Sequence, residues 1–168
     1  EHLGSSETRS DDVVYDFMQK HPSDIVAWVN PISPLQTAEE VRQIIEYFRK
    51  ENLDSLITVI DEKVHCVYEG EPLNFSLKGL FAKTQDLVPV QSFVYSVMMW
   101  RTKTFVEAYE RDGFALLSGK LGYFAVNKES SVIIKTDEDL LMADNILRAR
   151  EGASTYQVAY DELVEAND

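Results

Sequence analysis

Groups able to do chemistry are sparse in this chain of 168 residues. Its three histidines, His2, His21 and His65, are scattered, and His65 beside Cys66 is not a metal-ligand spacing. Cys66 carries no sign of a nucleophile and reads as a packed thiol. No G-x-G-x-x-G, Walker A or G-x-S-x-G motif occurs, so dinucleotide-binding, P-loop and α/β-hydrolase chemistry lose their usual marker. Asp137, Glu138 and Asp139 form an acidic group, but acids in a first helical turn are what the helix dipole selects, and they are expected to serve that end rather than to bind a cation. The most informative stretch is residues 30–37, N-P-I-S-P-L-Q-T. Two prolines stiffen it and present Asn30, Ser33 and Gln36 as fixed hydrogen-bonding groups. The residues alone are equally compatible with a rigid strand-to-helix turn and with a binding loop.

The elements that position this loop follow from the hydrophobic spacing. Residues 10–21 predict a helix, with Val13, Val14, Phe17 and Met18 on one face, Ser10 or Asp11 as cap and Pro22 as stop. Residues 24–30 are apolar almost without alternation, which predicts an interior parallel strand. Thr37-Ala38-Glu39-Glu40 is a capping box opening a helix with Val41, Ile44, Ile45 and Phe48 inward. A second apolar strand follows at residues 55–60, expected beside the first through a right-handed βαβ crossover. Residues 61–89 are mixed, with a short hairpin expected near 64–68 and an excursion after it. Residues 90–100 predict a strand running into a helix at 101–111; 121–126 and 131–134 predict two more strands. A second capping box at residues 136–139 opens a helix to Arg150 with Leu140, Ala143 and Leu147 inward, and residues 154–166 a last one. The class is α/β, a Rossmann-like doubly wound, mainly parallel sheet, in which ligands sit beyond the carboxyl ends of the strands.

Composition excludes several functions. Hydrophobic residues make up 45% of the chain and charged residues 27%, so a packed core is expected and disorder is not. One cysteine cannot close an internal disulfide, which points to a reducing compartment, the cytoplasm. No apolar run is long enough for a membrane-crossing helix. The net charge of −13 argues against nucleic acid as a partner. Nine acids against two arginines in residues 137–168 read as a solvated helical end. The sequence opens Glu1-His2-Leu3 without Met and without a signal-peptide pattern, which predicts a processed chain or a fragment.

Four segments in order carry a resemblance. Residues 24–41, D-I-V-A-W-V-N-P-I-S-P-L-Q-T-A-E-E-V, resemble the acylneuraminate (CMP-sialic acid synthetase) cytidylyltransferase family, with its Q-P-T-S-P-L-R-T-like loop and acidic helix start. Gln85-Asp86-Leu87-Val88-Pro89 resembles the family's R-R-Q-D-L-P, and Gln91-Ser92-Phe93-Val94-Tyr95 falls where it has N-G-A-x-Y. Residues 131–139 resemble S-V-D-I-D-T-x-x-D. The similarity spans roughly residues 10–150. It implies a fold of the nucleotide-diphospho-sugar transferase type, one domain over residues 1–168 with residues 61–89 as an inserted dimerisation arm. The implied activity is transfer of CMP from CTP to an acidic sugar of the sialic acid type with release of pyrophosphate, by a homodimer. The implied substrate-binding residues are Asn30, Ser33, Gln36, Gln85, Gln91, Tyr95, Tyr123 and Phe124.

The departures are as informative as the matches. The family's opening strand and R-x-G-S-K nucleotide loop have no counterpart before Ser10, so the N-terminal portion is expected to be missing from this chain. Asn30 stands for the family's Gln, Gln36 for its Arg, and Gln91-Ser92 for Asn-Gly. The family implies Mg²⁺, yet the two aspartates of its D-x-D are Ile133 and Lys135, so the metal ligands are not retained. Lys135 is the one candidate catalytic group, a tethered positive charge in place of the ion. The alternative is a non-catalytic relative serving as a sugar- or nucleotide-binding or assembly subunit, and the chain as given is expected to release no pyrophosphate.

Overall fold

A computed structural model describes residues 7–152. The chain divides into two compact units, Glu1–Ile133 and Ile134–Asp168.

The first unit holds a four-stranded sheet. Helix α1, Ser10–Lys20, precedes strand β1, Ile25–Val29; helix α2, Ala38–Lys50, leads into β2, Ser55–Glu62. An excursion follows, carrying the short strands β3, Val67–Tyr68, and β4, Glu71–Pro72. After it come β5, Val90–Arg101, helix α3, Thr102–Asp112, and β6, Leu121–Ala125. The order in the sheet is β1-β5-β2-β6. β5 is antiparallel to both neighbours and β2 is parallel to β6, so β1, β2 and β6 run one way and β5 alone runs against them. The expected α/β class with a mainly parallel sheet is therefore present in strand direction.

The expected neighbours differ. β1 lies not beside β2 but one strand away, at the edge, with β5 between them. Thirteen helical residues in α2 span about 20 Å, and skipping one strand needs only about 10 Å. The apolar run in β1 is not a mark of an interior strand either: Ala27 and Val29 are exposed and Trp28 is half-buried. An apolar groove of about 280 Å³ lies against this edge, between Val13, Val14 and Phe17 of α1 and Val26, Trp28 and Trp100 of the sheet. Residues 131–134 form no strand; their backbone turns, with Ser131 N donating to Asn127 and Val132 N to Glu129.

Alternate residues of β5 feed two cores, because successive side chains point to opposite faces. Met99 packs with Ile44 and Phe48 of α2 and Leu56 of β2. Trp100 packs on the other face with Val14 and Met18 of α1 and Phe105 and Ala108 of α3. Burial of each such side chain contributes about 1.5–3 kcal/mol. Helices α1 and α3 are joined further by Tyr15 stacked on Tyr109, 4.3 Å between centroids, and by the Tyr109 hydroxyl donating to Asp12 over 2.6 Å. The start of α1 departs from expectation. Arg9, not Ser10 or Asp11, is the cap residue, and the Asp12 carboxylate accepts from Arg9 N.

The excursion after β2 is a small arm held by its own ring contacts and hydrogen bonds. Strands β3 and β4 form a hairpin whose turn residues Glu69 and Gly70 both have positive φ, as a primed turn requires. The hairpin thus sits a few residues beyond the expected 64–68. His65 stacks on Phe81 at 4.1 Å and meets Phe75 edge-on. The Asn74 side chain ties Cys66, Val64 and Val88 together. Cys66 is a free thiol.

In the second unit, helix α4, Asp137–Gly152, begins with the predicted box: Thr136 Oγ1 accepts from Asp139 N, and the Asp139 carboxylate accepts from Thr136 N. Leu140 and Leu147, expected inward, are exposed, while Ala143 is buried. The helix expected at 154–166 lies outside the described residues. No helix among the described residues is long and apolar enough to cross a membrane.

Candidate functional site at the carboxyl ends of the strands

β1, β2 and β6 share a direction, so their carboxyl ends lie at one end of the sheet, where the loop 30–37 and residues 126–130 emerge. Asn30 N donates to the Ser96 carbonyl over 2.8 Å, and the Asn30 carboxamide oxygen accepts from Ile32 N, which folds the loop back on β5. Ser33 is buried and its hydroxyl has no partner. Gln36 donates through Nε2 to the Glu40 carboxylate, while its own Oε1 is buried and unpaired.

From the sequence, Glu40 is expected only to close the capping box. Its backbone N–H does donate to the Thr37 cap, but its carboxylate turns away and accepts from Asn127 N at 2.9 Å and Asn127 Nδ2 at 3.1 Å. The Asn127 side-chain oxygen in turn accepts from Ser130 N, and the Ser130 hydroxyl is buried without a partner. One hydrogen-bonded chain therefore locks the loop after β1 to the loop after β6. Along it lie three buried, unpaired oxygens, Ser33 Oγ, Gln36 Oε1 and Ser130 Oγ, where buried polar atoms normally find partners. A cleft of about 500 Å³ opens beside Glu40, Gln43, Phe124 and Asn127.

An aromatic platform forms on the sheet. Phe93 and Tyr95 of β5 meet edge-on at 5.8 Å, and Phe93 lies 5.9 Å from Tyr123 of β6. All three rings are exposed, Tyr95 to 47%. Tyr95 has φ +61°, a left-handed conformation that costs a residue with a Cβ about 1–2 kcal/mol. Such strain is retained where surrounding structure holds it, and it clusters at functional positions. At the rim, Gln91 Nε2 donates to Asp61 Oδ1 over 2.7 Å. Gln91 is two residues from Phe93 on the same strand and so shares its face.

The structure thus gathers Tyr95 and Tyr123 around Phe93, with Gln91 farther along the same face of β5, and groups Asn30, Ser33 and Gln36 in one loop joined to the platform strand through Ser96. Phe124 and Gln85 lie elsewhere in the first unit. Phe124 points to the opposite face from Tyr123, edge-on to Tyr47 within the α2 core. Gln85 is exposed on the arm, in a 3₁₀ turn at Thr84–Asp86, its carbonyl accepting from Lys63. Lys135 belongs to the second unit, where its backbone N–H, with that of Thr136, holds the Asp139 carboxyl below its ordinary range. Phe93, Glu40, Asn127 and Ser130 were not singled out from the sequence. Phe93 was findable, since it stands at the period-two position from Tyr95.

The two residues that the resemblance sets at a metal position, Ile133 and Lys135, offer a divalent ion no oxygen ligand from their side chains. Ile133 is apolar and packs against the α2 core, and Lys135 carries a cation of its own. No group of three or more His, Cys, Asp or Glu among the described residues is placed to hold a metal ion.

No protein-family model and no curated protein sequence matches the chain. Several solved structures share its fold. The chain is similar to 4-diphosphocytidyl-2C-methyl-D-erythritol synthase from Anaerococcus prevotii, with a TM-score of 0.61 and 17% identity over 84% of this chain and 68% of that one. It is similar to 2-C-methyl-D-erythritol 4-phosphate cytidylyltransferase from Thermus thermophilus, with a TM-score of 0.52 and 13% identity over 82% and 69%. A third is CMP:2-keto-3-deoxy-manno-octonic acid synthetase complexed with CTP, with a TM-score of 0.56 and 12% identity over 87% and 70%. At these identities the likeness establishes the fold.

Proposed function

We propose that this chain is a cytidylyltransferase-type domain that binds an acidic sugar of the sialic acid class on the platform of Phe93, Tyr95 and Tyr123, with CTP as its nucleotide partner. The observation that carries the reading is Tyr95, an aromatic residue kept exposed in a strained backbone conformation at the expected end of the sheet. Aromatic faces pack against the C–H face of a sugar ring, and Gln91 and Asp61 at the rim offer a donor and an acceptor to its hydroxyls. The charge of Asp61 turns the sugar's carboxylate away from this rim, toward the loop of Asn30, Ser33 and Gln36. A synthetase of the same fold in complex with CTP supports the nucleotide.

A second reading, binding without transfer, is favoured by Ile133 and Lys135 at the metal position. In either reading the molecule is a homodimer, joined through the arm at residues 61–89, whose apolar side chains Val67, Leu77, Leu80, Phe81 and Val88 are exposed.

Two measurements test this. Saturation-transfer NMR with N-acetylneuraminic acid should give enhancements that disappear in Tyr95→Ala; equal signal in both proteins refutes the platform. A pyrophosphate-release assay with CTP and the same sugar then separates transfer from binding alone. The expected result is binding with no release.

A further inference from the structure

Strand β5 carries more residues than its partner can pair. Ile57 of β2 faces Met98 and Val59 faces Phe93, so Thr58 alone stands opposite residues 94–97. Extra residues must leave the ladder as a bulge, bending the strand and re-aiming a side chain. The base of this bulge is pinned on two sides. Thr58 and Ser96 are both fully buried. Thr58 Oγ1 accepts from Val97 N at 3.1 Å, lies 3.1 Å from the Val97 carbonyl and 3.0 Å from Ser96 Oγ. A hydroxyl has one proton to give and two lone pairs. The consistent arrangement has Thr58 donating to Val97 O while accepting from Val97 N and from the Ser96 hydroxyl, which saturates it. On the other side the Ser96 carbonyl accepts from Asn30 N at 2.8 Å.

Tyr95 sits inside this clamp at φ +61°. We infer that Thr58 and Ser96 are positioning residues: their paired hydroxyls hold residues 94–97 out of register and thereby hold Tyr95 in the left-handed conformation that builds the aromatic platform. They touch no ligand and act through Tyr95. Without the Thr58 hydroxyl, the Val97 N–H and C=O and the Ser96 hydroxyl lose a buried partner. Tyr95 then relaxes toward the extended backbone that a residue with a Cβ prefers. The same joint couples the platform to the loop of Ser33 and Gln36, since Ser96 bonds to Thr58 and to Asn30 alike. The consequence for ligand binding rests on the sugar-site reading above; the conformational claim does not.

The test uses the whole chain and three variants, Thr58→Val, Thr58→Ser and Ser96→Ala. The backbone readout is the strong intraresidue HN–Hα NMR cross-peak of Tyr95 that marks a positive φ. The binding readout is saturation transfer to N-acetylneuraminic acid. Wild type and Thr58→Ser should both show the Tyr95 signature. Thr58→Val, with its far-UV circular dichroism intact, should lose it and bind the sugar roughly tenfold more weakly, about 1.4 kcal/mol. Rescue by Ser is what a merely space-filling role would not give. Should Thr58→Val fail to fold, Ser96→Ala removes one bond of the clamp and should weaken the same cross-peak. Retention of the positive φ in a folded Thr58→Val, or in Ser96→Ala where Val does not fold, overturns the inference. A wild-type protein that keeps the signature but binds no sugar overturns the sugar-site reading alone.

Discussion

Glu40 shows how one residue serves two elements. Its carboxylate, nearly buried, accepts both Asn127 donors and the Gln36 amide, and so fixes the separation of the two loops at the site. Glu40→Ala should therefore lower stability by about 1–3 kcal/mol, since the bonds that its buried, charged carboxylate accepts from Asn127 and Gln36 are lost together. Glu40→Gln, which keeps one acceptor oxygen, should cost less. Urea unfolding measures both, and an unchanged midpoint in Glu40→Ala would mean that these bonds do not hold the two loops together. Asp12 is tied in a comparable way. The guanidinium of Arg9 first, and then the Tyr109 hydroxyl, hold its carboxyl down to about 2, below an ordinary value of about 3.9. A carboxylate depressed in the fold contributes stability that is complete above the unfolded value and lost as pH falls through the folded one. Arg9→Ala should raise the Asp12 titration seen by NMR and move acid unfolding to higher pH; an unmoved titration would leave the pairing without consequence. At this scale the sequence was half legible. Residue types marked Tyr95 and Tyr123, but neither the sign of a backbone angle nor the pairing of Glu40 with a residue 87 positions away has a local signature.

Local spacing predicts elements well because each depends on neighbours in the chain. Helix α2 and its cap on Thr37 follow from the box and the apolar face, and the observed bond from Glu40 N to Thr37 Oγ1 is the expected one. Strand order has no such local cause. β5 enters between β1 and β2 because its two apolar faces serve both cores, and an apolar run in β1 reads the same at an edge as in the interior. The junction of β2 and β6 illustrates a constraint visible only in three dimensions. Asp54 accepts from Lys120 N at 2.8 Å and Thr104 Oγ1 at 2.9 Å, and these bonds, led by the Lys120 N–H, hold its carboxyl below the ordinary range. A Cβ on Gly119 would meet Asp54 Cβ at 2.5 Å with φ already +69°, and one on Gly122 would lie 2.2 Å from the buried Leu53 side chain. Gly122→Ala should cost about 1–3 kcal/mol by overpacking. Gly119→Ala should cost more than Gly113→Ala, where φ is also positive but the space is open. Thermal unfolding of the three variants ranks them, and equal losses at Gly119 and Gly113 would mean that the contact with Asp54 yields freely.

The whole molecule is set by two opposed surface properties. A charge of −13 repels copies of the chain, while the arm presents a band of apolar side chains that a monomer rarely leaves in water. The arm is not simply unfolded chain: Asn74 and the stacked pair His65 and Phe81 give it a fixed form, so its outward residues are held outward. Its mixed polarity was legible in the sequence as an excursion from the sheet. Which rings and amides tie it together was not, because that depends on a hairpin register only the folded arm shows. Leu80, 98% exposed, is the cleanest probe, since its side chain packs against almost nothing. If the arm joins two copies, apolar burial drives association and charge opposes it, so added salt must screen the repulsion and tighten the dimer. Sedimentation velocity at protein concentrations on the order of 10 μM, a range in which weak dimers already dissociate, should show a dimer that strengthens with salt. Leu80→Glu should weaken it at least about tenfold without altering the circular dichroism. A wild-type monomer at high salt, or a dimer indifferent to Leu80→Glu, would separate the arm from assembly and leave its apolar face to a different partner.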